Sequence, residues 1–192
     1  MSQADIEKER LRLEAQNLEN DAKLAKARRD YRTAMELHVA AAKIRKALRE
    51  EKSWKWNLAN YHSIFGEFLL RSRNFKDARE HFKLAETLFL EIGLRKPAFF
   101  NAYKYLATFI KEEKELKVDN LDSYIEEAEV FLDRYSDFSQ FHEYLEVKLN
   151  FYKRKSIKYR LEEKYELAEI WARRCYEIAQ EGYKRFKRNS LR

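Results

Sequence analysis

The sequence predicts an all-α protein made of stacked antiparallel helical hairpins, and three observations carry that prediction. Only 3 Gly and 1 Pro occur in 192 residues, too few for the turns of a strand-rich fold. Apolar residues make up 45% of the chain, and they recur every three to four positions rather than alternating with the 38% that are charged. One stretch, Trp56 to Gly93, also reads as a complete hairpin: Gly66 and Leu69 close a first helix, Asn74-Phe75 turn the chain, and Ala78, Phe82 and Ala85 line a second. Small residues at such a crossing let two backbones approach while neighbouring rings fill the gaps.

The pattern recurs along the chain. A first helix is expected from about Gln3 to Arg29, with Asp30-Tyr31 as the turn, and Ala22, Ala25, Tyr31, Ala34, His38 and Ala41 repeat the intervals of Gly66 to Ala85 at an offset of 44 (78 − 34). A third hairpin starts after Pro97, whose ring suits a first helical turn. It carries Tyr103, Leu106, Ala107 and Ile110, then Asp119 or Asn120 as a cap, then Leu121, Ile125, Ala128 and Leu132. Ala107 to Leu121 spans 14 residues where Gly66 to Ala78 spans 12, so this turn is expected to be longer. The fourth hairpin begins near Ser139, with Tyr152, Ser156 and Tyr159 on one helix and Tyr165, Ala168, Ala172 and Cys175 on the other. About eight helices result, in one domain of hairpins near residues 3–49, 54–93, 97–135 and 139–187, followed by a basic tail over 184–192. A hairpin cannot bury its outer apolar side alone, so stacking completes the core.

Charge and composition narrow the function. The net charge is +7 and uneven: residues 101 to 150 hold 6 basic against 12 acidic residues, whereas 151 to 192 hold 13 against 6. With Cys175 as the one cysteine, intramolecular disulfides and multi-cysteine zinc sites are excluded, and a reducing cytoplasm is the expected setting. The charged start MSQADIEKERLRLEAQ lacks the apolar core of a signal peptide, and no apolar run is long enough to cross a bilayer. His38, His62, His81 and His142 are scattered without metal-ligand spacing, there is no phosphate-binding Gly loop, and Cys175 falls where the other repeats have Ala. The chain is therefore read as non-enzymatic, with no cofactor or metal.

Gly66, Leu69, Asn74-Phe75, Ala78, Phe82 and Ala85 resemble the tetratricopeptide (TPR) repeat, and the resemblance spans roughly residues 16 to 183. The repeats here are longer than that family's usual length of about 34 residues. His62, Tyr103 and Tyr152 stand where it has Trp, and its terminal Pro is mostly missing. The resemblance implies a right-handed array whose opening helices line a concave groove for a peptide or a partner helix.

Superposing the repeats brings out one constellation. Six residues before Gly66, Ala107 and Ser156 stand Asn60, Asn101 and Asn150, with Gln16 in the first repeat. In a TPR-like array this position faces the groove, where an amide both donates and accepts and so brackets a peptide bond. The same count places Lys104, Lys111, Lys153 and Arg160 there, with Glu19, Lys23, Lys26, Ser63, Glu67 and Arg71. Such an amide-lined, basic groove favours an acidic protein or peptide partner. The alternative is that the Asn side chains cap or bridge hairpins. A second reading, as a nucleic-acid-associated subunit of a ribonucleoprotein or viral assembly, rests on Lys184, Arg185, Lys187 and Arg188 around Phe186. The exposed terminal hairpins leave room for a homodimer.

Overall fold

In a computed structural model the described residues are predominantly helical; the structure describes residues 2–189, and side chains through Lys184. Among the described residues there are eight α-helices and no strand: α1 (Gln3–Ala27), α2 (Tyr31–Ala47), α3 (Glu51–Arg71), α4 (Phe75–Glu91), α5 (Arg95–Leu116), α6 (Leu121–Arg134), α7 (His142–Leu161) and α8 (Tyr165–Asn189). No described helix is long and apolar enough to cross a membrane. By its packing the chain divides into two compact units, up to Thr108 and from Phe109 onward, with the division inside α5.

Local chemistry fixes the helix ends. Ser2 and Asp5 form a reciprocal capping box on α1, with Ser2 Oγ accepting from the Asp5 N–H at 3.2 Å and the Ser2 N–H donating to Asp5 Oδ2 at 2.9 Å. Asp30 caps α2 by accepting from the Thr33 N–H at 3.2 Å. Five connections share one geometry: a residue with positive φ, namely Arg29 (64°), Arg49 (58°), Arg73 (61°), Gly93 (80°) or Glu163 (60°), follows the helix end. The next N–H then reaches back to the carbonyl five residues earlier, as from Asp30 to Ala25 at 2.9 Å and from Lys164 to Tyr159 at 2.8 Å. This is the Schellman closure, and here its last residue is also the residue before the next helix. Turns within hairpins and turns between hairpins are thus built alike.

The first unit has a core of small residues on helices that touch. Ala15, Ala22, Ala34, Ala41, Ala59, Ala78 and Ala85 are fully enclosed. Gly66 meets Phe82 as its spacing predicts: a Cβ at Gly66 would lie 2.7 Å from the Phe82 ring, which is itself fully buried. On α2, Tyr31 is covered by α3, whose Arg71 guanidinium lies 4.7 Å from the ring centre. The α5 ammonium of Lys104 lies 5.9 Å from the centre of the Phe82 ring.

In the second unit the register departs from expectation. Leu121, aligned by sequence with Ala78, is the first residue of α6, and Tyr124 occupies the fourth helical position that Ala78 holds in α4. Large and small are exchanged: Ala78 and Phe82 on α4 become Tyr124 and Ala128 on α6, all four buried. The longer third turn is present as residues 117–120, closed by Lys117 at φ 58°. The connection from α6 to α7 is different in kind, passing through a 3₁₀ turn at Ser136–Phe138. Aromatic rings hold it: Tyr135 lies 5.3 Å from Phe131 and 6.0 Å from Phe138, which lies 5.6 Å from Phe141. Ser156 is the small residue where α7 crosses α8, and its hydroxyl donates to the Ala168 carbonyl at 2.9 Å. Tyr165 and Ala172, expected to pack like Phe75 and Phe82, are instead exposed, because α8 has no following helix laid over it among the described residues.

Candidate functional site

The predicted groove residues divide between the units, with Asn60, Asn101 and Lys104 in the first and Lys111, Asn150, Lys153 and Arg160 in the second. The three asparagines behave alike. Each donates its Nδ2 to the carbonyl four residues earlier in its own helix: Asn60 to Trp56 at 2.8 Å, Asn101 to Pro97 at 2.9 Å, Asn150 to Glu146 at 3.0 Å. That bond ties each amide to its own backbone and leaves Oδ1 as the free function. Asn60 and Asn150 are half-buried; Asn101 is only 3% exposed, and its Oδ1 has no donor among the described residues. Lys153 and Arg160 are exposed, and Lys111 pairs with Glu115 at 3.8 Å.

Three opening helices of the first unit meet at Glu67. Trp56, Asn60, Ser63 and Glu67 succeed one another along one face of α3, at spacings of four, three and four. Lys26 of α1 approaches the Glu67 carboxylate at 3.6 Å, and Lys104 of α5 bonds to the same oxygen. Burial works to raise the Glu67 carboxyl, but Lys104 and Lys26 together outweigh it and hold the group below its ordinary range. Burial lowers Lys104, which has to share one carboxylate with Lys26. One anion between two cations leaves this face with surplus positive charge.

Further along the same face lies a cleft of about 390 Å³ lined by Glu19, Lys23, Lys52, Ser53, Trp56, Ile92 and Leu94. Lys23 sits over the Trp56 ring at 5.6 Å. No ion pair engages Lys23 or Lys52 among the described residues. The carboxylate in the cleft is already committed, since Glu19 accepts from Arg45 at 3.0 and 3.2 Å and from Asn57 Nδ2 at 2.7 Å. The cleft therefore offers an apolar floor and two available cations.

The Glu19 contacts belong to a polar chain through α1, α2 and α3. His38 Nδ1 lies 2.9 Å from Asn57 Oδ1, and Asn57 Nδ2 also donates to the Ser53 carbonyl at 3.0 Å. With its amide donors so placed, Asn57 accepts from a His38 Nδ1–H, which fixes the tautomer. Burial pushes the His38 imidazole below its ordinary pKa, against the Asn57 bond. Arg45 continues the chain to Glu50 at 2.8 Å, and Glu50 accepts from Arg12 at 2.7 Å. Asn57 was not among the predicted residues. The signal for it was a lone polar residue at a repeat position that elsewhere holds Leu13, Ala98 and Val147.

His62 and His81 form a second, half-buried pair, with Nδ1 atoms 2.8 Å apart and rings stacked at 5.0 Å. One nitrogen donates to the other, so at least one ring is neutral. Burial, with His81 adding to it, pushes His62 down to about 4. Among the described residues no group of three or more His, Cys, Asp or Glu is placed to hold a metal.

In the second unit Arg154, 9% exposed, stacks 4.6 Å from the centre of Tyr124 and bonds to Glu113. It anchors α7 to α5 and α6, a role that its neighbours in the basic KRK run concealed. Cys175 is half-buried, with Sγ 3.9 Å from the Leu149 carbonyl. Of the predicted anionic-surface residues, Lys184 is exposed at the end of the described side chains; those of Arg185, Lys187 and Arg188 lie outside them. No protein-family model matches the chain, and no curated protein or solved structure matches it.

Proposed function

We propose that this chain is a non-enzymatic, TPR-like interaction module that holds an acidic peptide or helical segment against the opening helices of its first unit. The observation that carries the reading is the cleft at Trp56. An apolar floor of Trp56, Ile92 and Leu94 lies beside Lys23 and Lys52, neither of them neutralised, while Glu19 is held by Arg45 and Asn57. A bulky apolar side chain would fill the floor, and flanking carboxylates would meet the lysines. The surplus cation at Lys26, Glu67 and Lys104 extends the same preference along α3. Asn60, between the two, offers its Oδ1 to a peptide N–H. Asn101, only 3% exposed, is enclosed in the fold and does not meet the peptide.

The test is affinity capture from the cells that make the protein, comparing the natural chain with a Lys23→Glu/Lys52→Glu variant and identifying partners by mass spectrometry. Partners bearing acidic segments are expected with the natural chain and lost, at least about tenfold, with the variant at an unchanged melting temperature. An identical partner set on both proteins sinks the reading.

A second reading, contact with nucleic acid, is favoured by a different surface. Lys76, Arg79 and Lys83 follow one another along α4 beside Tyr105, whose ring centre lies 5.0 Å from Lys83 Nζ. Cations next to an aromatic face suit a stacked base and its phosphate.

A further inference from the structure

Helix α8 carries a largely apolar stripe that none of the described residues covers. Along α8, Tyr165, Glu169, Ala172, Tyr176, Ala179 and Tyr183 fall at spacings of four, three, four, three and four, one line on the helix in which Glu169 is the single charged member. Tyr165 is 66% exposed, Tyr176 64% and Tyr183 68%. The helix's partly covered side, through Ala168, Trp171, Cys175 and Gly182, lies roughly a quarter-turn away, and its Trp171 and Cys175 meet Phe151 and Leu149 of α7.

The residues beside the stripe are arranged as a self-complement. Turned end for end about a point near Arg174 and Cys175, the stripe pairs Tyr165 with Tyr183, Ala172 with Tyr176 and Ala179 with Glu169, whose carboxylate is already engaged by Arg173. Along its edge, Glu166 then comes opposite Lys184, and Arg173 opposite Glu177. Each match occurs twice, as a two-fold interface requires. A parallel pairing would instead put this charged edge on opposite sides of the seam in the two copies, where the matches cannot form. Arg173 has one ion pair of its own, to Glu169 at 3.2 Å, with both side chains more than 70% exposed, so a neighbour is free to compete for it.

We propose that the α8 face is a homodimer interface, in which a second copy of this chain packs antiparallel with its own α8. The three tyrosines interleave with the alanines at the seam and keep their hydroxyls at the wet rim. Four inter-copy ion pairs, from Glu166 to Lys184 and from Arg173 to Glu177 in both directions, set the register. The contact covers Tyr165 to Lys184, about 30 Å of helix, near the lower limit of about 1,000 Å² for a specific interface. The dimer is therefore reversible, with a dissociation constant in the micromolar range.

Sedimentation equilibrium on the full chain, from low micromolar to millimolar concentration, tests this. A monomer–dimer equilibrium is expected, weakened at least tenfold by Tyr176→Glu and by Arg173→Glu at unchanged circular dichroism. The double variant Arg173→Glu/Glu177→Arg, which reverses each cross-pair without removing it, is expected to recover dimerisation to within about threefold of the natural chain. A monomer at all concentrations overturns the proposal. So does a dimer indifferent to Tyr176→Glu, which would lie on another face. Failure of the double variant to recover overturns the antiparallel register, and with it the assignment.

Discussion

A single asparagine shows what repeat superposition reads and what it misses. It selected Asn60, Asn101 and Asn150 because they recur, and the structure finds them making one shared bond to their own helices. Asn57, three residues before Asn60, joins α1, α2 and α3 through His38, Glu19 and Ser53, and it recurs nowhere. Recurrence reports what every hairpin needs, whereas a residue unique to one hairpin reports what that hairpin alone does. The histidines carry a prediction at the same scale. His62 is held near 4 in the folded protein and titrates near 6.5 when unfolded, so the unfolded state binds the extra proton first. Its stabilising effect is complete above pH 6.5 and declines as pH falls from there to about 4. With allowance for the ring's partial exposure, about 1–2 kcal/mol is lost over that range. Urea unfolding of the natural chain between pH 7.5 and 4.5 should therefore steepen relative to His62→Gln. Parallel curves for the two proteins would exclude the His62–His81 pair as the cause.

At the scale of the element, helix existence and face were legible, and turn geometry was not. Ala22, Ala34, Ala41, Gly66, Ala78, Phe82 and Ala85 lie in the core as their spacing requires, because close helix crossings admit few residue types. The turns gave no comparable signal, since positive φ falls on Arg29, Arg49, Arg73, Lys117 and Glu163 as well as on Gly93. The register of α6 was lost for a related reason: Tyr124 and Ala128 conserve the volume of Ala78 and Phe82 while reversing its order, which defeats alignment by small residues. The left-handed turns can be measured one at a time. Arg29 is exposed, so Arg29→Gly removes the Cβ strain at its φ of 64° without loss of packing. Set against glycine's greater unfolded entropy, a net gain of about 0.5–1 kcal/mol is expected, or a rise of about 1–3 °C in melting temperature. Gly93→Ala should do the reverse by about 1 kcal/mol, through the backbone alone, because an added Cβ there meets nothing within 4 Å. Thermal melts followed by circular dichroism check both, and a stabilised Gly93→Ala would contradict the φ of 80°.

For the whole molecule, the question is whether its net charge of +7 acts as a diffuse field or through particular places. A diffuse field attracts any polyanion, and its effect vanishes within roughly a Debye length, about 10 Å at 0.1 M salt. The cleft at Trp56 differs, because its two lysines flank an apolar floor whose contribution salt does not screen. The two readings of function therefore separate by salt dependence. If the cations of α4 around Lys76, Arg79 and Lys83 hold single-stranded nucleic acid, about three phosphates are neutralised. The logarithm of affinity should then fall with the logarithm of salt at a slope of about −2. An acidic peptide held by Lys23 and Lys52 carries no condensed counterions and should show a slope no steeper than about −1, with residual binding at about 0.5 M salt from burial on Trp56. Fluorescence anisotropy decides between them, using a labelled oligothymidylate and a labelled peptide in which one Leu lies between pairs of Asp and Glu, each titrated from 0.05 to about 0.5 M salt. Under the peptide reading, Trp56→Ala abolishes the high-salt residue of peptide binding and leaves the oligothymidylate slope unchanged. If the oligothymidylate instead binds more tightly than the peptide at about 0.15 M salt, and Lys76→Ala/Lys83→Ala flattens its slope by about 1 or more, the nucleic-acid reading takes precedence.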